Sequence, residues 1–138
     1  IQPQHAMDDR DVIARFWGTP AGIPYAFNSL HKAGTKLLMG SDAPVAPLDP
    51  WMAISAAVFG TESSDREPFQ PEQCLDFETA LASSTAVGRV ALRDADAADL
   101  VLLDCDPSII DSPEAMRAMP EHVLGTMLAG RWTYQQAE

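Results

Sequence analysis

Long apolar runs and an excess of basic residues are both missing from this sequence. No stretch approaches the roughly 20 consecutive apolar residues that a membrane-spanning helix needs, and the opening Ile-Gln-Pro-Gln-His5 has no charged start followed by an apolar core. The chain carries 20 acidic and 9 basic residues, which gives a formal net charge of −11. Because nucleic acids and anionic membranes are polyanions, this charge predicts that neither is a partner.

Cysteine is scarce as well. Cys74 and Cys105 have no Cys-x-x-Cys partner and no nearby histidine pair, so the sequence predicts neither a structural zinc knot nor a redox motif. We interpret them as two buried free thiols in a reducing cytoplasm, and a disulfide between them stays open as the alternative.

Familiar catalytic motifs are also absent. There is no Gly-x-Ser-x-Gly turn, no Walker loop and no Gly-x-Gly-x-x-Gly turn, which leaves ordinary hydrolase and nucleotide-binding interpretations without support. His5, His31 and His122 are too far apart for His-x-His or His-Glu-x-x-His. Because a firm zinc site uses at least three protein ligands, we expect this chain by itself to hold no stoichiometric metal.

What the sequence does contain is an ordinary globular composition. Its 138 residues are 46% apolar, which fits one domain with a core of normal size. The chain begins at Ile1 rather than at Met, which favours a piece of a longer polypeptide.

The first half of the chain has the pattern of an α/β unit. Apolar residues close to helical spacing predict a helix over residues 24–32 that ends at Gly34, the residue type that most readily adopts a left-handed C-cap. The apolar run in residues 35–41 predicts a strand buried on both faces. Three prolines in residues 42–50 cannot donate to a ladder, so the strand should end at Asp42.

Capping residues predict most of the later elements. Asp49 and Pro50 predict the start of a helix that ends at Gly60. Asp76 predicts the cap of a further helix over residues 77–87. The remaining predictions are a loop over residues 61–73, a strand over 98–104, a short helix opened by Ser112-Pro113, and a hairpin of strands 123–128 and 131–134.

Asp42 is the main candidate for chemistry. It stands at the carboxyl end of the predicted buried strand, in the turn Gly40-Ser-Asp-Ala-Pro44, where α/β barrels place catalytic groups. From the pattern alone the alternative is structural, since an aspartate here could form an Asx-turn or cap the following loop. Asp49, which precedes Pro50, is interpreted as a plain N-cap.

His5 is a second candidate. It lies after a proline and beside two glutamines, which would suit a ligand or a substrate contact. A lone histidine near a chain end is more often simply exposed, so both interpretations stay open.

Several segments together resemble a known family. The stretch Leu30-His-Lys-Ala-Gly-Thr-Lys-Leu-Leu-Met-Gly-Ser-Asp-Ala-Pro-Val45, with Pro47-Leu-Asp-Pro-Trp51 after it, resembles the last barrel strand of the amidohydrolase superfamily. The similarity is greatest to the amidohydrolase-3, YtcJ-like branch, which includes N-substituted formamide deformylases. Gln2-Pro-Gln-His5 resembles the segment that follows the preceding strand in that branch. Residues 98–107 and 126–134 resemble strands of its C-terminal sandwich.

The resemblance implies a fold and a division of the chain. The fold class is α/β: the C-terminal part of a (β/α)8 TIM-barrel metal-dependent hydrolase, with strands of a small composite β-sandwich. Residues 1–88 would form the last βα units of the barrel and the helices after them, and residues 89–138 the sandwich strands. Arg93-Asp-Ala-Asp-Ala97 stands where the family usually has a Gly-Lys turn, so we expect the sandwich hairpin at this point to be shorter or to have a different turn.

The resemblance also implies an activity. In such enzymes the aspartate matched by Asp42 binds or adjoins a divalent metal of the zinc type and moves protons while a carbon–nitrogen bond is hydrolysed. We therefore expect an amidohydrolase acting on a small amide or formamide, with His5 as a substrate contact. This chain would be an incomplete, inactive piece that associates with the rest of the enzyme or with itself. The alternative is a non-catalytic assembly or binding domain derived from such an enzyme.

Overall fold

The computed structural model describes residues 1–17, 22–86 and 88–137. Its fold is mixed α/β, in agreement with the predicted class, although the described residues do not close a barrel. None of the helices in these ranges is long and apolar enough to cross a membrane. The helices are α1 (Pro3–Phe16), α2 (Phe27–Lys32), α3 (Pro50–Phe59), α4 (Phe77–Ser84) and α5 (Pro113–Arg117), and the strands are β1 (Leu100–Leu103), β2 (Val123–Leu128) and β3 (Arg131–Gln135).

Helix α3 forms the centre of the core, and its predicted ends are confirmed. The Asp49 carboxylate accepts a hydrogen bond from the backbone N–H of Trp51 at 2.9 Å, which is the expected N-cap. Gly60 ends the helix with a φ of 63°, and a Cβ at this position would lie 2.8 Å from the Cys74 Sγ. Glycine is therefore required at residue 60 both for its backbone conformation and for the close approach of Cys74.

Helices α1, α4 and α5 pack around α3. Ser55 of α3 is fully buried, and its hydroxyl donates a hydrogen bond to the Pro113 carbonyl of α5 at 3.2 Å. This bond satisfies a polar group that would otherwise be costly inside the core. The buried apolar cluster consists of Ala6, Met7, Phe27, Leu37, Trp51, Ile54, Ala56, Ala57, Leu75, Ala80, Met116 and Met119.

Helix α1 is an element that the sequence analysis did not predict. It places Ala6, Met7 and Ile13 in the buried face, while its middle carries the acidic run that begins at Asp8. Because few apolar residues repeat at helical spacing, the pattern is weak, and packing against α3 supplies most of the stabilisation.

The predicted strand over residues 35–41 is wrong as stated. Residues 35–41 do not form a strand. Only one face of the segment is buried, since Leu37 is 6% exposed but Leu38 is 55% exposed. A strand that is apolar on both faces needs a neighbouring strand on each side. In the described part of the chain only Ile1 pairs with this segment, while the Met39 N–H donates to the Ser83 carbonyl at 2.9 Å. The segment is extended, but the partners that would make it a strand are missing.

Two predicted helices are shorter in the structure. Helix α2 begins at Phe27 rather than at residue 24, because Tyr25 has a φ of 54°, which is incompatible with a right-handed helix. Helix α4 ends at Ser84, and Thr85 is extended. The last residue of the predicted helix, Val87, lies outside the described residues.

The predicted strands of the second half form one antiparallel sheet in the order β1-β2-β3. Gly125 of β2 lies under the Trp132 ring of β3, and a Cβ there would approach the ring to 2.7 Å. One consequence of this small sheet is that much of its apolar surface stays exposed. The exposed residues are Val101, Leu102, Leu124, Leu128, Trp132 and Tyr134.

Candidate functional site

Two extended segments run side by side toward the candidate site. The Ile1 amino group donates to the Leu38 carbonyl at 2.8 Å, and the Gly40 N–H donates to the Ile1 carbonyl at 3.0 Å. This is the hydrogen-bond pattern of one parallel pair between Ile1 and Met39. Because parallel segments end at the same edge, the residues just after Ile1 and just after Gly40 share one side of the molecule.

Asp42 lies at this shared edge. Its φ is 56°, a left-handed conformation that few residue types other than glycine tolerate, aspartate among them. The backbone carbonyl accepts a hydrogen bond from the Val45 N–H at 2.9 Å, so the turn is closed by the main chain. The carboxylate is exposed and forms no hydrogen bond or ion pair with the residues that the structure describes. The side chain is thus not used for an Asx-turn, and it is free for another role.

His5 lies in the first turn of α1, two residues after Pro3. It is half-buried rather than fully exposed, and its Nε2 atom is buried without a hydrogen-bond partner in the described residues. A buried polar atom without a partner costs free energy, so such atoms call for an explanation. His5 is therefore not simply exposed, and its role as a ligand or substrate contact stays a prediction.

A small cavity of about 150 Å³ adjoins the Asp42 turn. It is lined by Gly40 and Ser41 and by Leu48 and Asp49, the two residues just before α3. A larger cleft of about 780 Å³ lies between Lys36, α4 and Arg89, and neither Asp42 nor His5 lines it. Neither cavity is lined by Asp42 or His5, and the smaller one comes only as near as Ser41, the residue before Asp42.

Asp42 and His5 carry donors of the kinds that suit a divalent metal, but no contact among the described residues brings these two side chains together. A carboxylate and an imidazole are both common zinc ligands, and the Nε2 of His5 has no other described partner. Asp42 and His5 do not form a group of three potential ligands with any other described residue. A metal at this edge would need further ligands from outside the described residues.

A second group of side chains lies at the end of the sheet. The Asp104 carboxylate and the His122 Nδ1 are 2.8 Å apart, and the Cys105 Sγ completes a group whose donor atoms all lie within 4.8 Å of one another. Burial raises the pKa of the Cys105 thiol, and the negative charge of Asp104 raises it further. Both cysteines are free thiols, as interpreted from the sequence, but both are half-buried rather than buried as predicted.

This second group is not predictable from local spacing, because its members are distant along the chain. Residues 105 and 122 meet only because β1 and β2 pair antiparallel, with Leu103 opposite Val123. The signal that could have found it was the hairpin-like order of the two predicted strands, with Asp-Cys after the first and His before the second.

Comparison with known proteins identifies the family. The chain is 28% identical to Protein LONG AFTER FAR-RED 3 of Arabidopsis thaliana over 145 residues, which cover 97% of this chain and 24% of that protein. The chain therefore spans about a quarter of the length of this relative. No solved structure matches the chain. The sequence profile of the amidohydrolase family matches residues 1–134, and the chain belongs to that family.

Proposed function

We propose that this chain is the C-terminal portion of a metal-dependent hydrolase that cleaves the carbon–nitrogen bond of a small amide or formamide, as in the YtcJ-like branch. Residues 1–88 would contribute the end of the barrel, and residues 89–138 the strands of the sandwich. The observation that carries the proposal is the position of Asp42: at the end of an extended segment paired in parallel with Ile1, with a carboxylate free of described partners.

Asp42 would act as the proton carrier of this reaction. One carboxylate oxygen accepts a proton from the attacking water and then returns it to the leaving nitrogen, which makes the amine a better leaving group. A carboxylate already engaged in a turn or an ion pair would be a poorer base. The turn is closed instead by the Val45 N–H and the Asp42 carbonyl, which leaves both carboxylate oxygens available.

The same carboxylate would help to hold a divalent ion of the zinc class. When bound, such an ion supplies Lewis-acid activation of water and of the substrate carbonyl. Asp42 is the ligand that this chain would offer, and the other ligands would come from the rest of the complete enzyme. In our proposal the buried Nε2 of His5 contacts the substrate or supports this site.

Substitution of Asp42 in the complete enzyme tests the proposal. Asp42→Asn keeps the size of the side chain and tolerates the left-handed backbone, but it removes the proton-accepting group. We expect kcat to fall on the order of a hundredfold or more while the fold is retained. Asp49→Asn is the matched control, because asparagine is nearly as good an N-cap as aspartate, and kcat should stay close to wild type.

If the two variants had the same kcat on an authentic substrate, or if Asp42→Asn lowered only the melting temperature, Asp42 would be a turn residue and the proposal would be wrong. The 138-residue chain alone is expected to show no amide hydrolysis, since it offers too few ligands at the Asp42 edge.

A non-catalytic assembly or binding domain derived from an amidohydrolase is the second candidate. The exposed apolar side chains of the sheet, such as Val101, Leu128 and Trp132, favour it because they suit contact with another protein surface. A complete protein that carries these segments but hydrolyses no amide, with or without added zinc, would favour this candidate over the enzyme. A cytoplasmic location remains a prediction for either candidate.

A further inference from the structure

The second side-chain group lies where two strands begin and end. Asp104 and Cys105 directly follow β1, and His122 directly precedes β2. The Asp104 N–H donates to the His122 carbonyl at 3.1 Å, which extends the antiparallel pairing by one step. The backbone therefore fixes all three residues next to one another before any ligand is present.

The three donor atoms are close to the spacing of a metal site. The Asp104 oxygen and the His122 Nδ1 are 2.8 Å apart, and no two of the three donors are more than 4.8 Å apart. With metal–ligand bonds of about 2.0–2.3 Å, tetrahedral coordination places its donors about 3.3–3.8 Å apart. Small rotations of side chains would suffice to reach this arrangement.

The surroundings of the group are apolar on one side and open on the other. The Sδ of Met119, a residue with 0% exposure, lies 3.8 Å from the Cys105 Sγ, so the thiol rests on the core. The side chains of Asp104 and His122 are 47% and 43% exposed. This geometry gives an ion access from solvent and leaves room for water as a fourth ligand.

The local charge favours a cation. Between Arg93 and Arg117 the sequence contains no lysine or arginine, while Asp104 is accompanied by other acidic residues such as Asp106. A cation bound by Asp104 and the Cys105 thiolate would therefore meet little competition from basic residues nearby in sequence.

We propose that Cys105, His122 and Asp104 bind a thiophilic divalent ion of the zinc class, separate from the Asp42 edge. Thiolate and imidazole select zinc-like ions over magnesium and calcium, which prefer oxygen ligands. The bound ion would cross-link the end of β1 to the start of β2. This inference does not depend on the hydrolase activity, and it replaces the expectation from histidine spacing that the chain holds no stoichiometric metal.

Cobalt substitution distinguishes this site from any metal held by oxygen and nitrogen ligands. A cobalt ion bound to a cysteine thiolate gives a near-ultraviolet charge-transfer absorption, which an Asp42 and His5 site cannot produce. We expect one such band per chain in the metal-stripped protein titrated with cobalt, and we expect added zinc to abolish it. The complete protein and the 138-residue chain should behave alike.

Matched variants identify the residues that bind the ion. Cys105→Ser should abolish it, whereas Cys74→Ser, which changes the other free thiol, should leave it intact. His122→Gln and Asp104→Asn should each weaken zinc affinity at least tenfold, since even outer partners of metal ligands commonly contribute about 10–100-fold. Both side chains are partly exposed, so their replacement does not disturb the core.

The absence of the band in the folded wild-type protein would overturn the proposal. So would a band that persists in Cys105→Ser, or zinc affinity that is unchanged in both His122→Gln and Asp104→Asn. In those cases the contact between Asp104 and His122 would be only a structural hydrogen bond between the two strand ends.

Discussion

Single side chains fix the long loop after α3 to the rest of the molecule. The Glu114 carboxylate of α5 accepts a hydrogen bond from the Ser64 N–H at 2.6 Å and another from the Ser64 hydroxyl at 2.7 Å. These bonds stabilise the ionised form and lower the pKa of Glu114 from 4.5 to about 2. The loop is thus held to α5 through a group that has to stay charged.

The pH dependence of stability should reveal this contact. Because the pKa of Glu114 is lower in the folded state, its contribution is fully present above about pH 4.5 and is lost as the pH falls toward about 2. We expect Glu114→Gln to lower the melting temperature at neutral pH, with a difference from wild type that shrinks steadily below pH 4.5.

Glu121→Gln is the control, since Glu121 is exposed and its carboxylate accepts no hydrogen bond within the described residues. The assignment would be contradicted if the difference in melting temperature between Glu114→Gln and wild type stayed the same from neutral to acidic pH.

At the scale of elements, short helices depend on their caps. Helix α4 has only 8 residues, and Asp76 at its N-cap accepts hydrogen bonds from both the N–H and the hydroxyl of Thr79, each at 2.8 Å. The backbone hydrogen bond from Thr79 is the largest cause of a lowered pKa at Asp76. A helix of this length gains little from propensity alone, so its cap and its packing have to stabilise it.

Removal of this cap should destabilise the protein measurably. We expect Asp76→Ala to reduce the free energy of unfolding by about 0.5–2 kcal/mol, the usual range for loss of an N-cap side chain. Asp76→Asn, which keeps a capping oxygen, should lose much less. Urea denaturation of both variants checks this, and equal losses for Asn and Ala would show that the capping bond is not the source of the effect.

At the scale of the whole molecule, exposed apolar surface is the feature with the clearest consequence. Val101 is 57% exposed, Leu128 is 60% exposed, and Leu38 in the extended segment is 55% exposed. Contiguous apolar surface and unpaired extended segments favour association. Coverage by another protein surface, or by a second copy of this chain, would remove this surface from water.

The 138-residue chain is therefore expected to associate at micromolar concentration. Val101→Lys and Leu128→Lys should each shift the sedimenting species toward the monomer, because a charge at the contact is costly to bury. Asp65→Asn is the control, because Asp65 is exposed in the loop after α3, away from the sheet, and its replacement makes the same one-unit change of net charge. A folded wild-type chain that sediments as a stable monomer, with no partner present, would contradict this prediction.

The sequence by itself determined the elements whose ends are written in local chemistry. Asp49 with Pro50, Gly60, and Ser112 before Pro113 mark helix ends that the structure confirms, because a cap depends on bonds within a few residues of itself. The hairpin of β2 and β3 was predictable because its two strands are joined by a short turn and are therefore neighbours along the chain. Asp42 was found from its place after an apolar run and before prolines, and its catalytic role stays a prediction.

Only the tertiary structure decided the features that depend on distant partners. Helix α1 forms because α3 covers its few apolar residues, whereas residues 35–41 do not form a strand because neighbouring strands are missing from the described chain. His122 meets Cys105 only through the pairing of β1 with β2. Burial and long-range hydrogen bonds are properties of the assembled chain, so no local pattern in the sequence can specify them alone.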